Sequence, residues 1–183
     1  TGLLRHIYIR EAKATGEIMV CLVCTSGKIP QPKILVEKIR KAAPTAVSIV
    51  ININKKDTNV ILGESGFTLW GKDYITDALC GMKFRLSPQS FYQVNHDQAE
   101  VLYKLVAAYA QLTGEETLLD LYCGTGTIGL SMASKVKRLI GVEVVPSAIE
   151  DARKNAEENG IINASFICSD ASTAASTLYR DGI

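Results

Sequence analysis

The 183-residue sequence predicts an α/β chain in two parts: a small α+β unit over 1–84 and, over 85–183, the first half of a doubly wound parallel sheet. Three observations predict it. Short β-rich runs surround one amphipathic helical segment in the first part. In the second, Gly124, Gly126 and Gly129 follow directly on the apolar run TLLDLY. From there on, apolar runs and helical periodicity alternate in the order strand, helix, strand, helix, strand.

The elements follow in order. LLRHIYIRE, GEIMVCLVCTS, AVSIVININ and TNVILG read as strands, and PKILVEKIRKAA reads as a helix. On that helix Ile34, Leu35, Ile39 and Ala42 form one apolar stripe, with Lys33, Lys38, Arg40 and Lys41 left for solvent. The segment HDQAEVLYKLVAAYAQLTG places Leu102, Leu105, Val106 and Tyr109 at helical spacing and is expected to stop at Gly114, a left-handed cap. After the glycine-rich turn comes a helix opened by Pro146 and closed by Gly160, with Ala148, Ile149, Ala152 and Ala156 on one face, and then the strand ASFICS. Thirteen residues remain after Asp170, so the sheet is expected to stop in mid-domain. The chain begins at Thr1 without methionine, and a fragment of a longer protein is expected.

Composition narrows the function classes. Twenty Lys plus Arg against nineteen Asp plus Glu give a net charge of +1, and 47% of residues are hydrophobic, which excludes a disordered chain. No apolar run approaches the roughly 18 residues of a spanning helix, so no membrane is expected as a partner. Near-neutrality also means that any nucleic acid must be met by a local basic surface. Five cysteines, an odd number set in apolar stretches, suit buried thiols in a reducing, cytoplasmic compartment. Cys21 and Cys24 have C-x-x-C spacing, but in a strand positions i and i+3 face opposite sides, so packed core thiols are the favoured reading over a metal pair. No metal site is expected.

Gly124, Gly126 and Gly129 satisfy G-x-G-x-x-G after a strand, a turn that lets backbone approach a ligand closely. Glu143, at the end of the next strand, is placed to accept hydrogen bonds from a ribose diol. Both features serve a dinucleotide or S-adenosylmethionine equally well. Asp120 favours the second, because a carboxylate there can accept from a cationic amino end or orient the loop.

DLYCGTGTIGL, with GVEVVPSAIEDARKNAEENG after it and SPQSFYQVN before it, resembles the S-adenosylmethionine-dependent RNA uracil-5-methyltransferases, which make 5-methyluridine in ribosomal and transfer RNA. The likeness covers essentially the whole chain and implies a partial Rossmann-like class I methyltransferase sheet behind the family's central domain. It implies that Gln93 contacts the methionine end of the cofactor, that Tyr122 packs near it, that Glu143 holds the ribose and that Asp170 reads the adenine edge. Thr127 stands where well-known members carry asparagine, and its hydroxyl can still donate. Phe91 could pack on an extruded uracil, or be a hydrophobic plug. Arg5, with His6 and Arg10, would meet RNA phosphates or form a solvated strand face.

The family chemistry is covalent. A cysteine thiolate adds to uracil C6, the activated C5 takes the methyl group, and a base removes the C5 proton so that the cysteine leaves. The resemblance places both the nucleophile and the base beyond Ile183, so the chain by itself is expected to be inactive, with S-adenosyl-L-homocysteine as the product of its parent. An iron–sulfur cluster is a feature of many members but is not expected in this chain. Ribosomal RNA, 23S in particular, is the expected partner; a nicotinamide-dependent oxidoreductase domain and a non-enzymatic RNA-binding module are the competing readings.

Overall fold

The computed structural model describes residues 2–57 and 59–183, which divide into compact units at Asp77/Ala78. In the first, strands β1 (Leu4–Glu11), β2 (Ile18–Cys24), β3 (Ala46–Ile53) and β4 (Ser65–Gly71) form one sheet in the order β1-β2-β3-β4. β2 and β3 are parallel, joined through helix α1 (Pro32–Ala42), and the outer pairs are antiparallel. Val20, Leu22, Cys24 and Ile51 pack against Leu35 and Ile39 of α1, while Cys21, Val23 and Val50 form a second cluster with Tyr8 and Leu62. Cys21 and Cys24 therefore sit in different clusters, as period-two alternation requires.

Of the strand predicted at TNVILG, Thr58 lies outside the described residues and the rest is loop; the strand comes later, as β4. Two buried asparagines explain the shift. Asn52 accepts from the Gly63 N–H at 2.6 Å and donates to the Gly63 and Ser65 carbonyls, and Asn54 donates to the carbonyls of Val60 and Ile61. Side chains thus satisfy the backbone that a ladder would otherwise claim.

In the second unit the parallel strands β7 (Thr117–Asp120), β8 (Arg138–Glu143) and β9 (Ala164–Cys168) lie in that order, the predicted βαβαβ half. Helices α3 (Thr127–Met132) and α4 (Pro146–Glu158) make the crossovers, and α5 (Ala171–Arg180), absent from the sequence reading, packs Ala174 and Leu178 on Ile140 and Val142. Strand β5 (Ile75–Leu79) pairs with β6 (Met82–Leu86) across the turn Cys80–Gly81, both at positive φ as a two-residue hairpin demands. The boundary falls before the predicted residue 84 because β6 is held by α4 and so belongs with the second unit.

Helix α2 (His96–Tyr109) ends five residues before Gly114, and the left-handed residue that follows it is Gln111. Its buried residues are Ala99 and Tyr103, whereas the predicted stripe of Leu102, Leu105, Val106 and Tyr109 is exposed. Among the described residues no helix is long and apolar enough to cross a membrane.

Candidate functional site

The site begins where β7 ends. The chain turns through Leu121 to Gly126, with the Cys123 N–H donating to the Val142 carbonyl and the Gly126 N–H to the Cys123 carbonyl, at 3.0 and 2.8 Å. Gly124 and Gly126 take φ of 53° and 83°, which side chains resist, so the turn requires glycine at both. A Cβ on Gly124 would meet no atom within 4 Å: this backbone faces open space. Gly129 serves packing instead, since a Cβ there would lie 2.9 Å from Leu139 and 3.0 Å from Asp120 Oδ2.

Two carboxylates hold the turn. Asp120 Oδ2 accepts from the Gly129 N–H at 3.1 Å, which ties the end of β7 to helix α3. Burial pushes the Asp120 carboxyl up, opposed by the N–H groups of Gly129 and Tyr122, with the Glu143 charge adding to the rise. Glu143, last in β8, accepts from Gly124 N–H at 3.2 Å through Oε2 and from Val144 and Val145 N–H at 2.8 and 3.0 Å through Oε1. The acidic side chain thus has a structural reason to stand there, which sequence alone did not reveal. An ionised carboxylate offers about four acceptor positions, so these three bonds leave it able to accept again.

Tyr122 is 82% exposed whereas Cys123 is buried, so of this pair the thiol alone is a core residue. Burial pushes the Cys123 thiol up to about 12, with Asp120 and Glu143 adding to it. The Thr127 hydroxyl is shared with Tyr103 at 3.0 Å. Asp170 caps α5: its Oδ1 accepts from Thr173 N–H and the Ser172 hydroxyl, bonds that pull its carboxyl well below the usual range.

The preceding segment is anchored on α4. Ser90 Oγ accepts from the Ser87 N–H and donates to Asp151 Oδ2, both at 2.8 Å, and Asn95 caps α2 by accepting from Gln98 N–H. Phe91 is 73% exposed. Gln93 is half-buried, and among the described residues no hydrogen bond joins it to Glu143 or the glycine turn. The connection is indirect, through α4, whose Asn155 donates to the Thr125 carbonyl at 3.0 Å. Asp151 and Asn155 of α4 and Asn159, which caps it, are the residues that sequence reasoning missed, and their spacing of four was the available signal. In the first unit, Arg5 Nη1 donates to the carbonyls of Asn54 and Lys56 at 3.0 and 2.7 Å, a local structural contact. Arg10 Nε likewise donates to the Tyr8 hydroxyl.

These residues fit a nucleoside cofactor. Open space over Gly124, an exposed aromatic ring at Tyr122 and a carboxylate with acceptor capacity at Glu143 share one turn, and Thr125 Oγ1 is buried there with no partner among the described residues. Comparison with known proteins agrees. Residues 112–183 match the family profile described as Methyltransferase domain. Proteins named uncharacterized RNA methyltransferases are 47% identical over 182 residues in Halalkalibacterium halodurans and 51% over 170 in Staphylococcus aureus; the matches cover 100% and 93% of this chain. The chain spans 40% and 38% of those relatives' own lengths. The crystal structure of Pyrococcus abyssi tRNA (uracil-54, C5)-methyltransferase in complex with S-adenosyl-L-homocysteine matches with a TM-score of 0.74 and 32% identity, over 91% of this chain and 39% of that one. The tRNA m1G37 methyltransferase of M. jannaschii, 13% identical with a TM-score of 0.54 over 92% of this chain and 50% of its own, shares the fold alone.

The parallel half-sheet with its glycine turn therefore carries the class I, S-adenosylmethionine-dependent methyltransferase fold. Within that class, the similar proteins of known name act on RNA by those names.

Proposed function

We propose that this chain is the central and cofactor-binding part of an RNA methyltransferase that transfers a methyl group to C5 of a uridine. The observation that carries the reading is the Glu143 carboxylate drawn over the Gly124 N–H, beside backbone open to a ligand, in a chain 32% identical to an S-adenosyl-L-homocysteine-bound tRNA uracil-C5 methyltransferase. When bound, S-adenosylmethionine supplies an electrophilic methyl group on a sulfonium. Glu143 would hold the ribose hydroxyls, Tyr122 would cover the nucleoside, Thr127 and Gln93 would meet the methionine end, Asp120 would keep the turn in shape, and Asp170 would face the adenine edge. Phe91, projecting into solvent, is the side chain suited to stacking on an unpaired uracil.

Nucleophilic attack on C6 needs an exposed thiol of low pKa. Burial pushes Cys21 and Cys123 up to about 11 and 12 and raises Cys24 and Cys80 too, Cys168 is the exposed thiol, and none of the five matches the family's nucleophile, so this chain alone is proposed to be without turnover and to bind cofactor weakly. Its free cysteines go with a reducing, cytoplasmic setting.

Titration calorimetry with S-adenosyl-L-homocysteine tests the cofactor reading. Binding by the wild type and an affinity loss of about tenfold or more in Glu143→Ala, the scale of a lost charged hydrogen bond, are expected; equal affinities would remove the ribose role. Binding of NADH in its place would return the site to the dinucleotide reading. Isotope transfer to undermodified 23S ribosomal RNA and to transfer RNA, by the longer protein, then identifies the substrate, with the ribosomal RNA expected to accept the label.

A further inference from the structure

Strand β6 has one edge on β5, and the N–H groups on its other side are met by side chains of a helix. Arg85 N–H donates to Asn155 Oδ1 at 2.7 Å; Lys83 N–H donates to Asn159 Oδ1 at 3.0 Å, while Asn159 Nδ2 returns a bond to the Lys83 carbonyl at 2.6 Å. One turn earlier, Asp151 Oδ2 accepts from Ser90, whose hydroxyl also accepts from the Ser87 N–H. Residues 151, 155 and 159 are therefore a polar seam at i, i+4 and i+8 that reads the chain from 90 back to 83. The geometry has a simple cause: four helical residues rise about 6.0 Å and two strand residues about 6.6 Å, so one helix face matches alternate strand positions. Glu158 adds an ion pair to Arg85 at 3.1 Å.

Asn155 differs from its neighbours in the seam. It is completely buried, and while its Oδ1 holds Arg85, its Nδ2 donates to the Thr125 carbonyl in the middle of the glycine turn. One amide thus joins the strand leading into the segment of Phe91 and Gln93 to the turn between Gly124 and Gly126. A buried amide bonded at both ends fixes both partners, because a shift of either leaves a backbone group unpaired at a cost comparable to a hydrogen bond. An apolar residue at 155 would fill the space but fix neither.

We infer that Asn155 is a positioning residue that sets the register between the cofactor turn and the base-facing segment 87–95. The inference rests on reading the glycine turn as a cofactor site.

The test compares one chemical change at two places in the same chain. Asn155→Asp keeps the acceptor for Arg85 N–H and loses the donor to Thr125; Asn159→Asp makes the same change one turn on, where the lost donor reaches the Lys83 and Asn155 carbonyls and not the turn. Amide exchange at Cys123 and Gly126 is expected to quicken about tenfold in N155D and to stay within about twofold of the wild type in N159D, by the size of one buried hydrogen bond. S-adenosyl-L-homocysteine affinity should fall in parallel. Equal effects of the two substitutions, or unchanged exchange in N155D, would overturn the inference. If the wild type does not bind S-adenosyl-L-homocysteine, the cofactor reading fails while the exchange data still decide the role of Asn155. Should N155D not fold, the wild-type Arg85 amide decides: bound S-adenosyl-L-homocysteine slows its exchange if Asn155 couples turn and strand, and an unaltered rate overturns the coupling.

Discussion

At Glu143 one carboxylate accepts three backbone N–H groups from two loops, and at Asp120 another accepts the N–H of Gly129, so both acidic residues of the site shape backbone before any ligand arrives. Their positions at strand ends were legible from the motif; the bonds to Gly124 and Gly129 were not, because those donors lie nineteen residues from Glu143 and nine from Asp120. The same holds for Arg5, read from sequence as a phosphate contact or part of a solvated strand face, whose Nη1 reaches the carbonyls of Asn54 and Lys56, some fifty positions away. Two expectations belong at this scale. Burial raises the Asp120 carboxyl above its ordinary value of 3.8, so the folded state holds that proton more tightly than the unfolded chain. Its contribution is greatest in acid and declines as pH rises from 3.8 through the raised value. A neutral amide at this position does not titrate, so Asp120→Asn should gain stability on the wild type across that window and keep the gain above it, as urea unfolding over a pH series would record. Thiol accessibility differs as sharply: iodoacetamide at neutral pH should label the exposed Cys168 first and leave Cys21, Cys24 and Cys123 for the unfolded chain, which peptide mass spectrometry resolves.

Among the elements, β8 shows how little space the site leaves. A Cβ on Gly141 would lie 2.5 Å from the Phe166 ring and 2.9 Å from Cys123 Sγ, so the strand can pass beneath the glycine turn only without a side chain there. Gly141→Ala should cost about 1–3 kcal/mol, the range for overpacking a core, read from denaturant unfolding; a loss below about half a kcal/mol would mean that the ring and thiol move aside freely. The elements with strong period were legible: α1 and α4 begin at their prolines, and β7, β8 and β9 fall on their apolar runs. Those whose backbone is captured by side chains were not. TNVILG has strand composition, but from Asn59 on it is loop, held by the side chains of Asn52 and Asn54. On α2 the most apolar stripe faces out, and the buried face is the smaller Ala99 with Tyr103, whose hydroxyl bonds Thr127.

For the whole molecule, near-neutrality conceals an asymmetry. Residues 1–77 hold eleven Lys plus Arg against seven Asp plus Glu, and residues 78–183 hold nine against twelve, so a net +4 and a net −3 make up the total of +1. If the chain meets RNA, its first unit supplies the favourable field. The exposed Lys33, Lys38 and Lys41 lie together on α1, alongside the exposed Lys13, Lys28 and Lys55 elsewhere in the unit. Replacing the three on α1 by Glu should weaken single-stranded RNA binding and reduce the slope of log affinity against log salt by about 2, given about 0.7 per phosphate contact; an unchanged slope in a filter-binding series would place the contact elsewhere.

The βαβαβ order from β7 to β9, the glycine turn and the acidic strand tip were determined by the sequence itself, because period, turn chemistry and a short motif are local properties. What joins Gly124 to Glu143, Thr125 to Asn155 and Ser90 to Asp151 was decided by tertiary structure alone. Each of those bonds satisfies a polar group that folding removes from water, and its partner is chosen by proximity in space rather than along the chain.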